Sequence, residues 1–132
     1  MTPRGSAAGV GGRRLFSTEA AVELLIRHRS WLHREDFLDI ALESGRGITS
    51  GAVMAAVDFG AAVGALEAGV LPCSGGEGRV LRIAASLGEG VPVDLREAVT
   101  GLDENNAALA AAAVLHAAGH RDLRMAAGGE RR

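Results

Sequence analysis

The sequence predicts an all-α protein, a compact bundle of five to six helices with short loops and flexible termini. The first observation is that apolar residues recur at spacings of three and four, the period of an amphipathic helix. The second is that no segment alternates apolar and polar residues as a half-buried strand does. The third is that residues typical of helix starts and stops divide the chain into short segments.

Length and composition predict one domain. The chain has 132 residues, of which 48% are hydrophobic and 23% charged, as in a globular protein with one modest core. We expect residues 17–120 to form the domain, residues 1–16 a flexible basic arm, and residues 121–132 a frayed tail. Because aromatic residues make up only 3%, the core is expected to consist of Leu, Val, Ile and closely packed small residues. Every basic residue is arginine, which indicates a GC-rich genome, and we expect a bacterial source.

Charge is distributed unevenly along the chain. The net charge is −2, but the segment before Leu15 carries three arginines and no acid. Residues 15–119 carry seven arginines against fourteen acids. An acidic body with short basic ends lacks the electrostatic footprint of a domain that binds duplex DNA.

The cysteine content and the hydrophobic pattern predict a cytoplasmic protein. The single Cys73 cannot form an internal disulfide, and the N-terminal residues lack the apolar run of a secretory signal. The most apolar stretch, residues 51–69, has Asp58 at its middle. An acid at that depth costs about 3 kcal/mol on membrane insertion, so we expect no membrane association.

The first three helices are predicted from their starts and their apolar spacing. Ser17 or Thr18 is expected to cap a helix that runs to about Trp31, and a second helix is expected over residues 34–44. A long third helix is expected over residues 49–68.

The third helix carries two unusual features. Asp58 would lie mid-helix among apolar residues, where a buried and unpaired carboxylate is costly. Small residues around Gly60 and Gly64 would let another helix approach closely, as a tight crossing between soluble helices.

The fourth helix has the best-defined start. Ser74 and Glu77 have the S-x-x-E spacing of a capping box, in which each side chain bonds the other residue's backbone N–H. Apolar positions follow at helical spacing. They are Val80, Ile83, Ala84 and Leu87. Gly88 and Gly90 are expected to end this helix.

Two further helices are predicted in the last third of the chain. Asp94 is expected to cap a short helix that Gly101 stops. Asp103 is expected to cap a last, alanine-rich helix that Gly119 closes.

The segment Ser-Gly-Gly-Glu at residues 74–77 resembles the signature segment of ABC-type ATPases, in which an L-S-G-G-Q-like motif opens a helix. The stretch TGLDENN at residues 100–106 is similar to the end of that family's D-E-P-T-S-x-L-D segment, and the resemblance would place a catalytic glutamate at Glu97. However, Arg96 occupies the position of the metal-holding aspartate, and the chain has neither a G-x-x-x-x-G-K-[ST] loop nor any lysine. We therefore interpret residues 74–77 as a capping box.

The candidate partner-binding residues lie on two segments. Residues 27–34, RHRSWLHR, form the only basic and aromatic cluster of the body, and a row of acids at four-residue spacing follows them. The polar face of the fourth helix carries two more arginines. The predicted set is Arg27, Arg29, Trp31, Arg34, Arg79 and Arg82. As an alternative, Trp31 and Leu32 pack as a hinge between two helices.

Metal and nucleophile motifs are incomplete. His116 and His120 have the spacing of a helical zinc pair, but Gly119 breaks the helix between them and the acid of H-E-x-x-H is missing. Cys73 precedes a helix start, which can lower the pKa of a thiol, but the sequence identifies no partner base. We expect no catalytic residue, no cofactor and no metal.

The sequence favours a small, non-catalytic helical module for protein interaction or regulation. Opposed charges within a short span suit contact with another protein or a second copy of the chain. The alternative is a DNA-associated regulator that uses the arginine-bearing tails and residues 27–34. An enzyme that uses Cys73, or a nucleotide bound at residues 74–77, has the least support.

Overall fold

The computed structural model describes residues 3–42 and 57–120, and in these two ranges the chain forms six α-helices and one 3-10 helix. The α-helices are α1 (Pro3–His28), α2 (Glu35–Ala41), α3 (Phe59–Glu67), α4 (Gly75–Glu89), α5 (Leu95–Thr100) and α6 (Glu104–Ala117), and the 3-10 helix is Trp31–His33. The all-α fold class is confirmed, and the six α-helices of these two ranges agree with the predicted five to six.

The long helix α1 organises the bundle because it packs along both α4 and α6. The Ser17 hydroxyl donates a hydrogen bond to the Leu87 carbonyl at the end of α4, whereas the Trp31 indole bonds Glu77 at the start of α4. α1 is therefore antiparallel to α4. In addition, α3 packs on α4, and α2 packs on α3.

Most of the few aromatic residues lie in the core. Three of the four aromatic side chains are at most 2% exposed. The largest fully buried side chains are Trp31, Phe37, Phe59, Leu24, Leu25, Leu71, Leu81 and Val80. The expected core of Leu, Val, Ile and small residues is confirmed for 19 of the 22 buried hydrophobic residues in the described ranges, and the other three are Trp31, Phe37 and Phe59.

The first helix begins earlier than predicted. α1 starts at Pro3, so residues 3–16, which the sequence assigned to a flexible arm, are helical. Proline is favoured in the first turn of a helix, and no further proline interrupts this one. Ser17 is therefore not a cap. The helix ends before Arg29, whose φ of 77° lies in the left-handed region. The predicted tail, residues 121–132, lies outside the described residues.

The third helix begins later than predicted. Val57 pairs with Leu42 in an isolated antiparallel bridge, and the Asp58 N–H donates to the Ala41 carbonyl at 2.7 Å. Asp58 is the N-cap of α3, and its carboxylate accepts the Ala61 N–H at 2.9 Å. The prediction of a continuous helix through Asp58 is wrong, because this side chain caps a helix start. The rest of the predicted segment, residues 49–56, lies outside the described residues.

A second carboxylate completes the start of α3. The two carboxylate oxygens of Glu89, from the end of α4, accept the backbone N–H groups of Phe59 and Gly60, each at 3.1 Å. Together with Asp58, Glu89 satisfies the first N–H groups of α3, which have no partner within their own helix.

The tight helix approach lies at a different glycine from those predicted. A Cβ on Gly64 would have nothing within 4 Å. A Cβ on Gly88, inside α4, would lie 2.6 Å from the Phe59 ring and 3.1 Å from the Ala21 Cβ. The close contact of α4 with α1 and α3 therefore depends on Gly88, which the sequence had assigned to a helix end.

The helix starts of the second half of the chain are confirmed. The Ser74 hydroxyl accepts the Glu77 N–H at 3.1 Å, and the Glu77 carboxylate accepts the Ser74 N–H at 2.9 Å, which completes the capping box. Asp94 and Asp103 cap α5 and α6. Helix α4 ends at the left-handed Gly90, with φ of 72°.

Candidate functional site

The six predicted partner-binding residues do not form one surface. Arg27 and Arg29 are exposed at the end of α1, whereas Trp31 has no exposed surface. The remaining arginines make internal hydrogen bonds and ion pairs. The cluster that is continuous in sequence is therefore divided between the surface and the core.

Trp31 belongs to the core and not to a binding surface. Its indole N–H donates to the Glu77 carbonyl at 2.9 Å, and its ring packs on Phe37 with 5.3 Å between the ring centroids. A fully buried side chain cannot contact a partner of the folded chain, so the assignment of Trp31 to partner binding is corrected in favour of the hinge interpretation.

Arg34 clamps the turn around Trp31. Its guanidinium lies 4.8 Å from the Trp31 ring centroid, makes two hydrogen bonds to Asp36 at 3.0 and 2.6 Å, and donates to the Pro72 carbonyl at 2.7 Å. The hydrogen bond from Arg34 lowers the pKa of Asp36, and the same bond raises the pKa of Arg34. These charge-assisted hydrogen bonds stabilise the turn between α1 and α2.

Arg79 and Arg82 join α4 to its neighbours on either side. Arg82 pairs with Glu67 of α3 at 3.1 Å. Arg79 donates to the carbonyl and the carboxylate of Glu97 in α5, at 3.3 and 3.4 Å. A Cβ on Gly101 would lie 2.3 Å from the Arg79 guanidinium, so the glycine after α5 makes room for this arginine. A cation at this end of α5 also complements the helix dipole.

A cavity of about 440 Å³ lies between these two ion pairs, and we name it the α4 groove. Its lining residues are Leu66, Cys73, Ser74, Gly75, Gly78, Arg79, Arg82, Pro92, Val93, Asp94 and Glu97. Two of the predicted site residues, Arg79 and Arg82, therefore line the same cavity.

Glu77 connects the start of α4 to the turn after α1. Its carboxylate accepts the Ser30 hydroxyl in addition to the Ser74 N–H, and its carbonyl accepts the Trp31 indole. The hydrogen bond from Ser30, followed by that from Ser74, lowers the pKa of Glu77. His28 lies near Glu77 and Asp103, but burial dominates and lowers its pKa.

We expect acid to destabilise this junction in two steps. Because burial lowers the pKa of His28, the unfolded chain binds this proton more tightly than the folded chain does. The free energy of unfolding therefore decreases as the pH falls below about 6.5. The lowered pKa of Glu77 means that its contribution is lost as the pH falls below about 4.3. Urea midpoints measured between pH 7.5 and 3 check both steps.

Two variants separate these steps. His28→Gln should flatten the dependence of the midpoint on pH between 7 and 5.5, and Glu77→Gln should flatten it below pH 5. His120→Gln, on an exposed histidine, is the matched control for the first step. A wild-type midpoint that rises on acidification from pH 7 to 5.5 would contradict the assignment to His28.

Cys73 lies just before α4, and His116 lies near the end of α6. Cys73 is exposed, and partial desolvation of its thiol raises the pKa of that thiol. His116 is 2% exposed, and its two ring nitrogens lie 3.3 Å from the Glu23 and 3.4 Å from the Glu19 carboxylate. In the described ranges, no three His, Cys, Asp or Glu side chains are grouped to hold a metal ion.

The sequence reasoning missed an uncovered apolar face on α6. Between positions 107 and 118 the only polar residue is His116, which points into the bundle. The outward residues, which we name the α6 outer face, are Ala107, Ala111, Val114 and Ala118, and all four are exposed. The signal was present in the sequence, because an alanine run without any charged position cannot give a helix a polar side.

No family model, curated protein or solved structure matches this chain. None of the helices in residues 3–42 and 57–120 combines the length and apolar character that crossing a bilayer requires. The geometry of the described residues therefore carries the functional argument.

Proposed function

We propose that this protein is a small, non-catalytic helical module that binds another protein through the α6 outer face. The observation that carries the proposal is that, from Ala107 to Ala118, α6 has no polar residue except the buried His116, while only part of the circumference of this stretch is buried. A helix of that composition is normally covered on every side, because each exposed apolar group costs free energy in water.

The shape of the face favours a helix as the contacting element. Ala107, Ala111 and Ala118 have side chains of a single carbon, so the backbone of another helix can approach closely. Val114, which is 52% exposed, supplies the one larger side chain that a partner can enclose. The partner therefore needs an apolar face of matching shape, without a charged residue at the centre of the contact.

Charge favours a different protein over a second copy. Residues 15–119 carry seven arginines against fourteen acids, in a chain whose net charge is −2. The acidic bodies of two copies disfavour contact with each other, whereas a neutral or basic partner meets no such repulsion.

The alternative of a DNA-associated regulator has weaker support. Four of the six arginines in the described ranges 16–42 and 57–120 lie within 4 Å of a carboxylate, and they are Arg27, Arg34, Arg79 and Arg82. The neighbouring carboxylates cancel much of the positive charge that a polyanion such as DNA would attract. The alternative now depends on the arginines near the chain ends.

Photo-crosslinking tests the proposal. A benzophenone amino acid placed at Ala111 or Val114 in the native host should give the same crosslinked partner at both positions. Val70, which is 55% exposed and lies after α3, is the control position. The benzophenone amino acid placed there should not give that partner.

Binding of the purified partner then gives a quantitative check. Ala111→Glu places a charge on the α6 outer face at an exposed site, so it should weaken binding at least ten-fold and leave the circular dichroism unchanged. Val70→Glu should leave the Kd unchanged. Adducts that match those at Val70, or that join two copies of this chain, would refute the proposed partner.

A further inference from the structure

We propose that the α4 groove binds an apolar group that bears a carboxylate. The proposal is independent of the α6 outer face, since the two sites share no residue. It starts from the two arginines that lie one helical turn apart on α4 and line the same cavity.

The two arginines retain hydrogen-bonding capacity towards the groove. Arg82 bonds Glu67 through Nη1 alone, and Arg79 bonds Glu97 through Nε and Nη2. Among the described residues, no other hydrogen bond engages the remaining N–H groups of these arginines. A guanidinium presents its N–H groups in a planar fork that matches the two oxygens of a carboxylate.

The existing ion pairs are weak competitors for a bound anion. The side chains of Glu97 and Glu67 are 65% and 60% exposed. Ion pairs with such exposed carboxylates contribute little to stability, because water screens both charges. Each arginine can therefore share its guanidinium with a ligand without leaving a carboxylate buried and unpaired.

The charge of the groove selects a monoanion over phosphate. Each arginine already has one acidic partner, Glu97 for Arg79 and Glu67 for Arg82, and the Asp94 carboxylate is engaged as the cap of α5. A phosphate carries nearly two negative charges near neutral pH and meets more repulsion there than a single carboxylate does.

The rest of the groove is suited to an apolar body. Leu66, Pro92 and Val93 contribute apolar side chains to the lining, and Gly75 and Gly78 add no side chain that would fill the space. The cavity of about 440 Å³ falls within the range of small-molecule sites, about 300–1,000 Å³. Such a carboxylate can come from a free organic acid or from the C-terminus of a protein chain.

NMR titration of the full chain distinguishes these sources. The probes are hexanoate, its neutral analogue hexanamide, the peptide acetyl-Ala-Ala-Leu with a free carboxylate, the same peptide with a C-terminal amide, and inorganic phosphate. We expect each acid to shift the backbone amides of residues 75–82 and 93–97 and to bind at least ten-fold tighter than its amide. Tighter binding of the peptide assigns the site to a chain terminus, and tighter binding of hexanoate assigns it to a free acid.

Three variants test the assigned residues. Arg82→Gln should weaken binding of the acids at least five-fold, and Glu67→Gln should strengthen it several-fold because it removes the competing carboxylate. Arg27→Gln, which affects an ion pair outside the groove, is the control and should leave the Kd unchanged. Equal binding of acid and amide, phosphate binding as tight as hexanoate, or no shift at residues 75–82 overturns the proposal.

Discussion

Trp31→Ala should lower the free energy of unfolding by about 3–5 kcal/mol, the range for truncating a buried Trp or Phe to alanine. Trp31 has no exposed surface, and it packs on Phe37 and beneath the Arg34 guanidinium. Removing the indole leaves a large cavity and takes away the donor to the Glu77 carbonyl. For a domain of this size the loss is a large part of a total of about 5–15 kcal/mol. Urea unfolding followed by circular dichroism measures it, since the variant lacks the only tryptophan.

Trp31→Phe is the conservative control at the same position. It keeps a ring against Phe37 but lacks the N–H that bonds Glu77, so we expect a smaller loss, about 1–3 kcal/mol. Arg27→Ala, at an exposed ion pair, should cost at most about 1 kcal/mol. A loss below 1 kcal/mol for Trp31→Ala would show that Trp31 is not a core residue.

Gly88→Val should also destabilise the fold, by about 1–3 kcal/mol or more. The new Cβ would lie 2.6 Å from Cε2 and 2.8 Å from Cδ2 of Phe59, and 3.1 Å from the Cβ of Ala21. Phe59 is 2% exposed, so its ring cannot turn away into water. The few tenths of a kcal/mol that valine gains over glycine in helix propensity do not offset this overlap. The change in the urea midpoint measures the effect.

Gly64→Val is the matched control, because the same substitution in α3 meets nothing within 4 Å. It should change stability by less than about 0.5 kcal/mol. The double variant Gly88→Val with Phe59→Leu should lose less than the two single losses combined, because the smaller side chain relieves the overlap. If the two losses in stability add exactly, the strain in Gly88→Val does not come from its contact with Phe59.

The candidate site illustrates how far charge patterns in a sequence can be interpreted. The sequence identified Arg79 and Arg82 on one side of a helix, and both line the α4 groove. It could not show that Glu67 and Glu97, which are distant in sequence, pair with them. The same limit applies to Arg34, whose partner at Pro72 comes from a distant loop.

The sequence by itself determined the helical class and the helix starts at Ser74, Asp94 and Asp103. These starts depend on a side chain and a backbone N–H two or three residues away, so neighbours in sequence suffice. Only the tertiary structure decided that Trp31 is buried and that Asp58 begins a helix. The burial of Trp31 and the position of Asp58 both depend on segments that are distant along the chain, because burial and the pairing of distant segments follow from the packing of whole helices.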